Sequence, residues 1–63
     1  MNDLSRRVRE LREKMGWTQE DLARRMYVSL STIQRWEIRG GNPNRLSLRE
    51  LRKLFRKAGI DDR

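Results

Sequence analysis

The stretch from Thr18 to Glu37 constrains the fold more than any other part of the chain. It reads T-Q-E-D-L-A-R-R-M-Y-V-S-L-S-T-I-Q-R-W-E. Thr18 followed three residues later by Asp21 is a capping-box pattern, so a helix is predicted to begin at Gln19. The apolar residues that follow recur at spacings of three and four, which predicts one buried face and a helix end near the last of them: Leu22, Ala23 and Met26.

A second short helix is predicted after a tight turn at residues 27–29. Ser29 and Ser31 are both candidate N-caps, because Ser31 and Gln34 also have capping-box spacing, and we favour Ser29. This helix, 29–37, is expected to have two unlike faces. One face holds Ile33 and Trp36, and the other holds side chains that are small, apolar or long and hydrogen-bonding: Leu30, Ser31, Gln34 and Arg35.

The second of these faces has the side-chain chemistry that reads DNA in the major groove. Arginine can bind guanine O6 and N7 with two hydrogen bonds, glutamine can do the same with adenine N6 and N7, and Leu30 can pack on a thymine methyl group. The alternative interpretation is an ordinary amphipathic helix with a solvated polar face.

The same stretch resembles a known family. T-Q-E-D-L-A at 18–23, Val28-Ser29, Ser31-Thr32-Ile33 and Trp36-Glu37 are similar in register to the Cro and phage-repressor helix-turn-helix proteins, also called the xenobiotic-response-element family. The likeness covers roughly residues 4–60. It implies one all-α domain over residues 1–63, a compact bundle of four or five short helices around a central helix-turn-helix.

The resemblance also implies roles for individual residues. Gln19 matches a glutamine that contacts a DNA phosphate, and Arg12 and Glu37 match a salt-bridged pair whose arginine also lies near phosphate. The positions that reach base edges are Ser29, Leu30, Ser31 and Arg35, with Gln34 as a more peripheral candidate.

Tyr27 departs from the family pattern. The family usually has a small residue here, most often glycine, because the first motif helix ends in a left-handed conformation. A non-glycine residue in that conformation costs roughly 1 to 2 kcal/mol. Either the ring of Tyr27 packs and recovers this cost, or the turn has another shape and the presentation of residues 29–35 changes.

Helices are also predicted on both sides of this stretch. Asn2 is expected to cap a first helix over residues 3–14, and Gly16 to close it in a left-handed conformation. A loop is predicted at 38–46, I-R-G-G-N-P-N-R-L, where Gly40 and Gly41 would let the backbone approach DNA closely. Its Arg39 and Arg45 are the expected phosphate contacts.

The last helix is predicted from residue 48 to 57 or 58. Ser47 and Glu50 have capping-box spacing at its start, and Gly59 closes it. The basic side chains of this helix are expected to be mostly solvated. Sixteen residues are expected to supply one small core: Leu4, Val8, Leu11, Trp17, Leu22, Ala23, Met26, Val28, Ile33, Trp36, Leu46, Leu48, Leu51, Leu54, Phe55 and Ile60.

Composition narrows the function classes. A net charge of +7 in 63 residues indicates a polyanionic partner, and nucleic acid is the default for a basic domain. The chain has no cysteine and no histidine, so no metal or cofactor site and no catalytic residues are expected. No apolar run approaches the roughly 20 residues of a membrane span, and the expected location is the cytoplasm.

We therefore expect a sequence-specific regulator that binds double-stranded DNA, a small Cro-like repressor that acts by occupying a promoter. No small-molecule substrate, membrane contact or enzymatic activity is expected. If the chain forms a homodimer on DNA, two half-sites about one helical turn apart are expected. The alternative is an antitoxin or protein-interaction module, in which the same fold presents its basic face to an acidic protein.

Overall fold

The computed structural model of the chain describes residues 3–39 and 41–60. This part contains four α-helices and no strand: α1 Asp3–Met15, α2 Gln19–Met26, α3 Leu30–Arg39 and α4 Arg45–Lys57. The predicted all-α class is confirmed. The predicted Asn2 cap lies outside the described residues, as do positions 61–63, where a fifth helix would fall.

The end of α1 follows the predicted glycine cap. Gly16 has φ +70°. Its N–H donates to the carbonyl of Glu13 at 3.3 Å, and the N–H of Trp17 donates to the carbonyl of Arg12 at 2.8 Å. These two hydrogen bonds satisfy carbonyls that the helix would otherwise leave unpaired. Trp17 then packs against the core, and the guanidinium of Arg25 lies 4.3 Å from the centre of its ring.

The predicted capping box at the start of α2 is present. Thr18 Oγ1 accepts a hydrogen bond from the N–H of Asp21 at 3.0 Å, and Asp21 Oδ2 accepts one from the N–H of Thr18 at 2.9 Å. The hydrogen bond from Thr18 and a second one from Arg24 at 2.9 Å lower the pKa of Asp21 below its ordinary value of 3.8. The helix begins at Gln19 and ends at Met26, as predicted.

Tyr27 adopts the left-handed conformation that the family pattern requires, with φ 58° and ψ 43°. The turn therefore keeps its usual shape, and the N–H of Val28 donates to the carbonyl of Ala23 at 3.0 Å. The other alternative, packing of the ring, is wrong, because the side chain of Tyr27 is 94% exposed. Burial of the ring does not offset the backbone cost.

The boundaries of the last two helices differ from prediction. α3 continues to Arg39, and α4 begins at Arg45, so the predicted loop 38–46 is shorter at both ends. The predicted start at residue 48 is wrong because Asn44, not Ser47, is the N-cap, and Asn44 Oδ1 accepts from the N–H of Ser47 at 2.8 Å. The predicted end is confirmed, because α4 ends at Lys57 and Gly59 follows the cap residue Ala58 with φ +76°.

One core brings the four helices together. α1 packs mainly against α3 and α4, and α2 packs against α3. The prediction that Leu46 belongs to the core is wrong, because this residue is 73% exposed on α4. Leu48 is half-buried, and Leu4, Trp17, Val28 and Leu54 are partly buried against the core. The predicted core residues that are buried are Val8, Leu11, Leu22, Ala23, Met26, Ile33, Trp36, Leu51, Phe55 and Ile60.

Candidate nucleic-acid interface

The outward face of α3 displays the residues predicted to read bases. Ser29 precedes the helix as its cap, and the other four lie within its first six residues. The opposite side of α3 is buried through Ile33 and Trp36. The structure therefore brings all five predicted side chains to one solvent-facing surface: Ser29, Leu30, Ser31, Gln34 and Arg35.

Three hydroxyl groups cluster at the start of α3. Ser29 Oγ accepts a hydrogen bond from the N–H of Thr32 at 3.2 Å, which confirms Ser29 as the cap. The same oxygen lies 3.0 Å from Ser31 Oγ and 2.9 Å from Thr32 Oγ1. This cluster sits at the positive end of the helix dipole, a position that favours acceptors and anions. Thr32 was not among the predicted base-reading residues, although its spacing from Ser29 is that of a cap and its partner.

A buried ion pair holds the other end of α3. Glu37 is 5% exposed, and both of its carboxylate oxygens accept hydrogen bonds from Arg12, from Nε and, at 2.9 Å, from Nη2. The pair implied by the family resemblance is therefore present. The hydrogen bond to Glu37 raises the pKa of Arg12 further above its ordinary value, against the opposing effect of burial.

Two further contacts tie Glu37 to the rest of the protein. Gln19 Nε2 donates to Glu37 Oε1 at 3.2 Å, and Ser5 Oγ donates to the backbone carbonyl of Glu37. Residues from α1, α2 and α3 thus meet at one carboxylate. A buried charge satisfied from several elements fixes their relative orientation, because moving one element leaves the charge unpaired.

This network bears on two of the predicted phosphate contacts. The third nitrogen of Arg12, Nη1, donates to the carbonyl of Trp17 at 3.2 Å, so all three guanidinium nitrogens already have an acceptor. Gln19 gives one amide hydrogen to Glu37 and retains a second, since a side-chain amide carries two. The structure shows both residues positioning α3, and their contact with phosphate stays a prediction.

The connection after α3 is packed against that helix. Gly41 has φ +46°, and a Cβ atom built on it would lie 2.7 Å from Trp36 Cδ1. The close approach at Gly41 is therefore to the indole of Trp36, whereas the prediction was an approach to DNA; Gly40 lies outside the described residues. Arg39 and Arg45 are exposed, but they end α3 and begin α4 and are not loop residues as predicted.

Comparison with known proteins agrees with this geometry. The model of the helix-turn-helix family matches residues 8–61. The chain belongs to the Cro-type helix-turn-helix family. It is also 38% identical over 53 residues to the HTH-type transcriptional activator BcrR of Enterococcus faecalis, a match that covers 84% of this chain and 26% of that protein. The chain thus spans about a quarter of the length of this relative, and no solved structure matches it.

Within this family, α2, the turn at 27–29 and α3 form the helix-turn-helix unit, and the family is one of DNA-binding transcription regulators. None of the helices in the described ranges is long and apolar enough to cross a membrane. Sequence reasoning missed two residues that set the unit's geometry: Gln19 as a partner of Glu37, and Gly41 as a contact of Trp36. Both depend on side chains that meet only in the folded chain, so spacing along the sequence carried no signal for either.

Proposed function

We propose that this helix-turn-helix domain binds a specific sequence of double-stranded DNA by inserting α3 into the major groove. The observation that carries the proposal is the division of α3 into two faces. Ile33, Trp36 and Glu37 are buried, and the polar face opposite them is exposed and held in a fixed orientation. A rigid helix with such a face fits the major groove, which is about 12 Å wide.

The side chains on this face have distinct proposed roles. Arg35 donates to guanine O6 and N7. Gln34 forms hydrogen bonds with adenine N6 and N7, or with the edge of a neighbouring base. Leu30, which retains 37% of its surface, packs on a thymine methyl group. Ser29 and Ser31 contact bases or the nearby backbone through their hydroxyls.

Phosphate contacts on both flanks orient the helix. In this proposal Arg39 and Arg45 bind the backbone beyond the far end of α3, and Gln19 binds it at the positive end of α2, next to Arg12. Three of these residues are cations. Since the logarithm of affinity falls with the logarithm of salt concentration by about 0.9 per neutralised phosphate, we expect a slope of roughly −3 per bound chain.

Two regulatory outcomes are open to a domain that binds this way. We propose that it acts as a homodimer and represses transcription by occupying a promoter. The name of its relative, a transcriptional activator, favours activation as the second candidate. Transcription in vitro from templates with the selected site over the start point or upstream of it separates the two, because repression by occupancy needs overlap and activation from upstream does not.

The experiment that tests DNA reading is selection of bound duplexes from a random pool at about 150 mM salt, where purely electrostatic binding is weakened. Wild-type protein is expected to enrich an inverted repeat with half-sites about one helical turn apart. The matched control is Arg35→Ala, which should lose preference at one position of each half-site. A pool without enrichment would contradict the proposal and favour the protein-interaction alternative.

A further inference from the structure

An open groove lies between the end of α2 and the outer side of α4. Its volume is about 540 Å³, and its walls come from residues 24–27 on one side and from 50, 53, 54 and 57 on the other. Because α2 starts at Gln19 and ends at Met26, the groove lies at the end of α2 opposite to Gln19, the proposed phosphate contact. DNA bound by α3 as proposed does not require it.

The lining of the groove combines apolar and charged side chains. Met26, Tyr27 and Leu54 supply the apolar surface. The charged residues of the wall are four cations and one acid: Arg24, Arg25, Lys53, Lys57 and Glu50.

Some of this charge is already neutralised within the protein. Glu50 lies 3.4 Å from Lys53, and Arg24 lies 2.9 Å from Asp21, which is outside the groove. Within the described part of the chain, Lys57 has no ion-pair partner. Arg25 also has no ion-pair partner in the described ranges, and its guanidinium lies over the ring of Trp17. The groove therefore keeps a net positive charge, with Arg25 and Lys57 not neutralised by a carboxylate.

Tyr27 is the feature of this groove that folding does not explain. Its backbone is left-handed, the conformation that glycine adopts without strain, and its ring is 94% exposed at the groove. The hydrogen bonds of the cap are made by the backbone and need no side chain, and the exposed ring adds no packing that would offset the strain. A large aromatic side chain at such a position indicates a role for the ring outside the fold. Aromatic side chains of this kind anchor protein interfaces.

We infer that this groove binds an acidic amphipathic segment of a partner protein. Apolar side chains of that segment would pack on Tyr27, Met26 and Leu54, and its carboxylates would face Lys57 and Lys53. The apolar part of the lining favours a protein over a nucleic-acid backbone, because phosphates and sugars would contact the cations but gain little from Met26 and Leu54. The inference is independent of how α3 reads DNA, and it adds a second binding surface to the domain.

The test is a selection from a displayed library of 16-residue peptides. In these peptides randomised apolar residues recur every three or four positions, and glutamate or aspartate occupies the positions between them. Enriched peptides are expected to bind wild-type protein at least tenfold more tightly than Tyr27→Gly or Lys57→Glu. Tyr27→Gly removes the ring and relieves the backbone, so it should fold at least as well as wild type. The largest changes in backbone amide NMR chemical shifts on addition of peptide should fall on residues 24–27 and 50–57.

Two control variants match the test variants. Arg49→Glu changes net charge as Lys57→Glu does but lies outside the groove, and Leu46→Ala removes an exposed apolar side chain elsewhere on α4. Both should bind the enriched peptides as wild type does. The inference is overturned if no peptide is enriched, if all variants bind alike, or if shifts centre on residues 29–35. It is also overturned if Lys57→Glu lowers the affinity for random-sequence DNA more than the affinity for the enriched peptides, since the groove would then bind phosphate.

Discussion

The two faces of α3 show how one short helix divides its work between folding and recognition. On the inward face, Ile33, Trp36 and Glu37 are each at most 5% exposed, and Glu37 is bonded to residues of two other helices. On the outward face, Ser31, Gln34 and Arg35 are exposed. The inward face therefore sets where the outward face points, so changes on the two faces should have separable effects on stability and on DNA binding.

The largest change in folding stability is expected from a substitution on the inward face. Trp36→Ala removes a buried indole, which costs about 3 to 5 kcal/mol, comparable to the whole stability of so small a domain. We expect the variant to be unfolded at room temperature, as measured by circular dichroism during heating. Gln34→Ala on the outward face is the control and should melt like wild type. A cooperative Trp36→Ala transition near the wild-type temperature would mean that the inward face is not what holds α3.

A somewhat smaller effect is expected from the ion pair behind α3. Arg12→Ala leaves Glu37 buried with Gln19 as its remaining side-chain donor. Removal of one partner of a fully buried pair costs about 3 to 5 kcal/mol, and a smaller loss is expected here because the side chain of Arg12 is 21% exposed. Chemical denaturation is the measurement. The double variant Arg12→Met, Glu37→Met should recover much of this loss, because no charge is then left unpaired. If Arg12→Ala leaves stability intact and only weakens DNA binding, the residue serves phosphate contact and not the position of α3.

Substitutions on the outward face should change DNA binding but not folding stability. Arg35→Ala is expected to weaken specific binding by about 1 to 3 kcal/mol and to relax base preference at one position, with an unchanged melting temperature. Arg39→Ala is the matched comparison, and it should weaken binding to all sequences alike and flatten the salt dependence. Fluorescence anisotropy with the selected duplex and a random duplex separates these outcomes. Equal losses on both duplexes for Arg35→Ala would remove it from base reading.

The turn that joins α2 to α3 offers a sharper test of what orients the outward face. Tyr27→Gly relieves about 1 to 2 kcal/mol of left-handed strain, partly offset by the larger entropy of glycine in the unfolded chain, for a net gain of about 0.5 to 1 kcal/mol. Affinity for the selected duplex should not change, because Glu37 and Trp36 hold α3. A loss of DNA affinity in this more stable variant would show that the tyrosine itself helps to present the helix.

The smallest expected effect is a dependence on pH at the start of α2. The folded pKa of Asp21 is lowered by the N–H of Thr18 and by Arg24, so its carboxylate stabilises the fold above the ordinary pKa of 3.8, and this stability is lost as pH falls through the lowered value. Asp21→Asn should therefore be less stable than wild type at pH 7, and the difference should shrink below about pH 4. Melting temperatures measured from pH 7 to pH 3 check this. A difference that persists at pH 3 would point to lost geometry and not lost charge.

The groove beside Tyr27 differs in chemistry from the outward face of α3. Its chemistry is apolar and basic, whereas the outward face of α3 is built mainly from polar side chains. A regulator that binds DNA with one surface and an acidic partner with another would respond to two inputs without a change in fold. The Tyr27→Gly and Arg35→Ala variants separate these inputs, since each is expected to affect only one.

Local signals in the sequence determined much of this protein. The glycine cap at Gly16 predicted where α1 ends. The capping box at Thr18 and Asp21 and the spacing of the apolar residues predicted where α2 begins and ends. These features depend on hydrogen bonds between residues three or four apart, so they can be read without knowing the fold. The likeness to the family added the pairing of Arg12 with Glu37.

Tertiary structure decided what such local rules leave open. Asn44 and Ser47 are both of residue types that cap helices, and in the folded chain Asn44 is the cap. Leu46 is apolar but points to solvent, because the start of α4 and its packing against α1 turn that side outward. The contacts of Gln19 with Glu37 and of Gly41 with Trp36 join residues on different elements. Such contacts exist only once the helices have packed, since the same side chains are far apart in the unfolded chain.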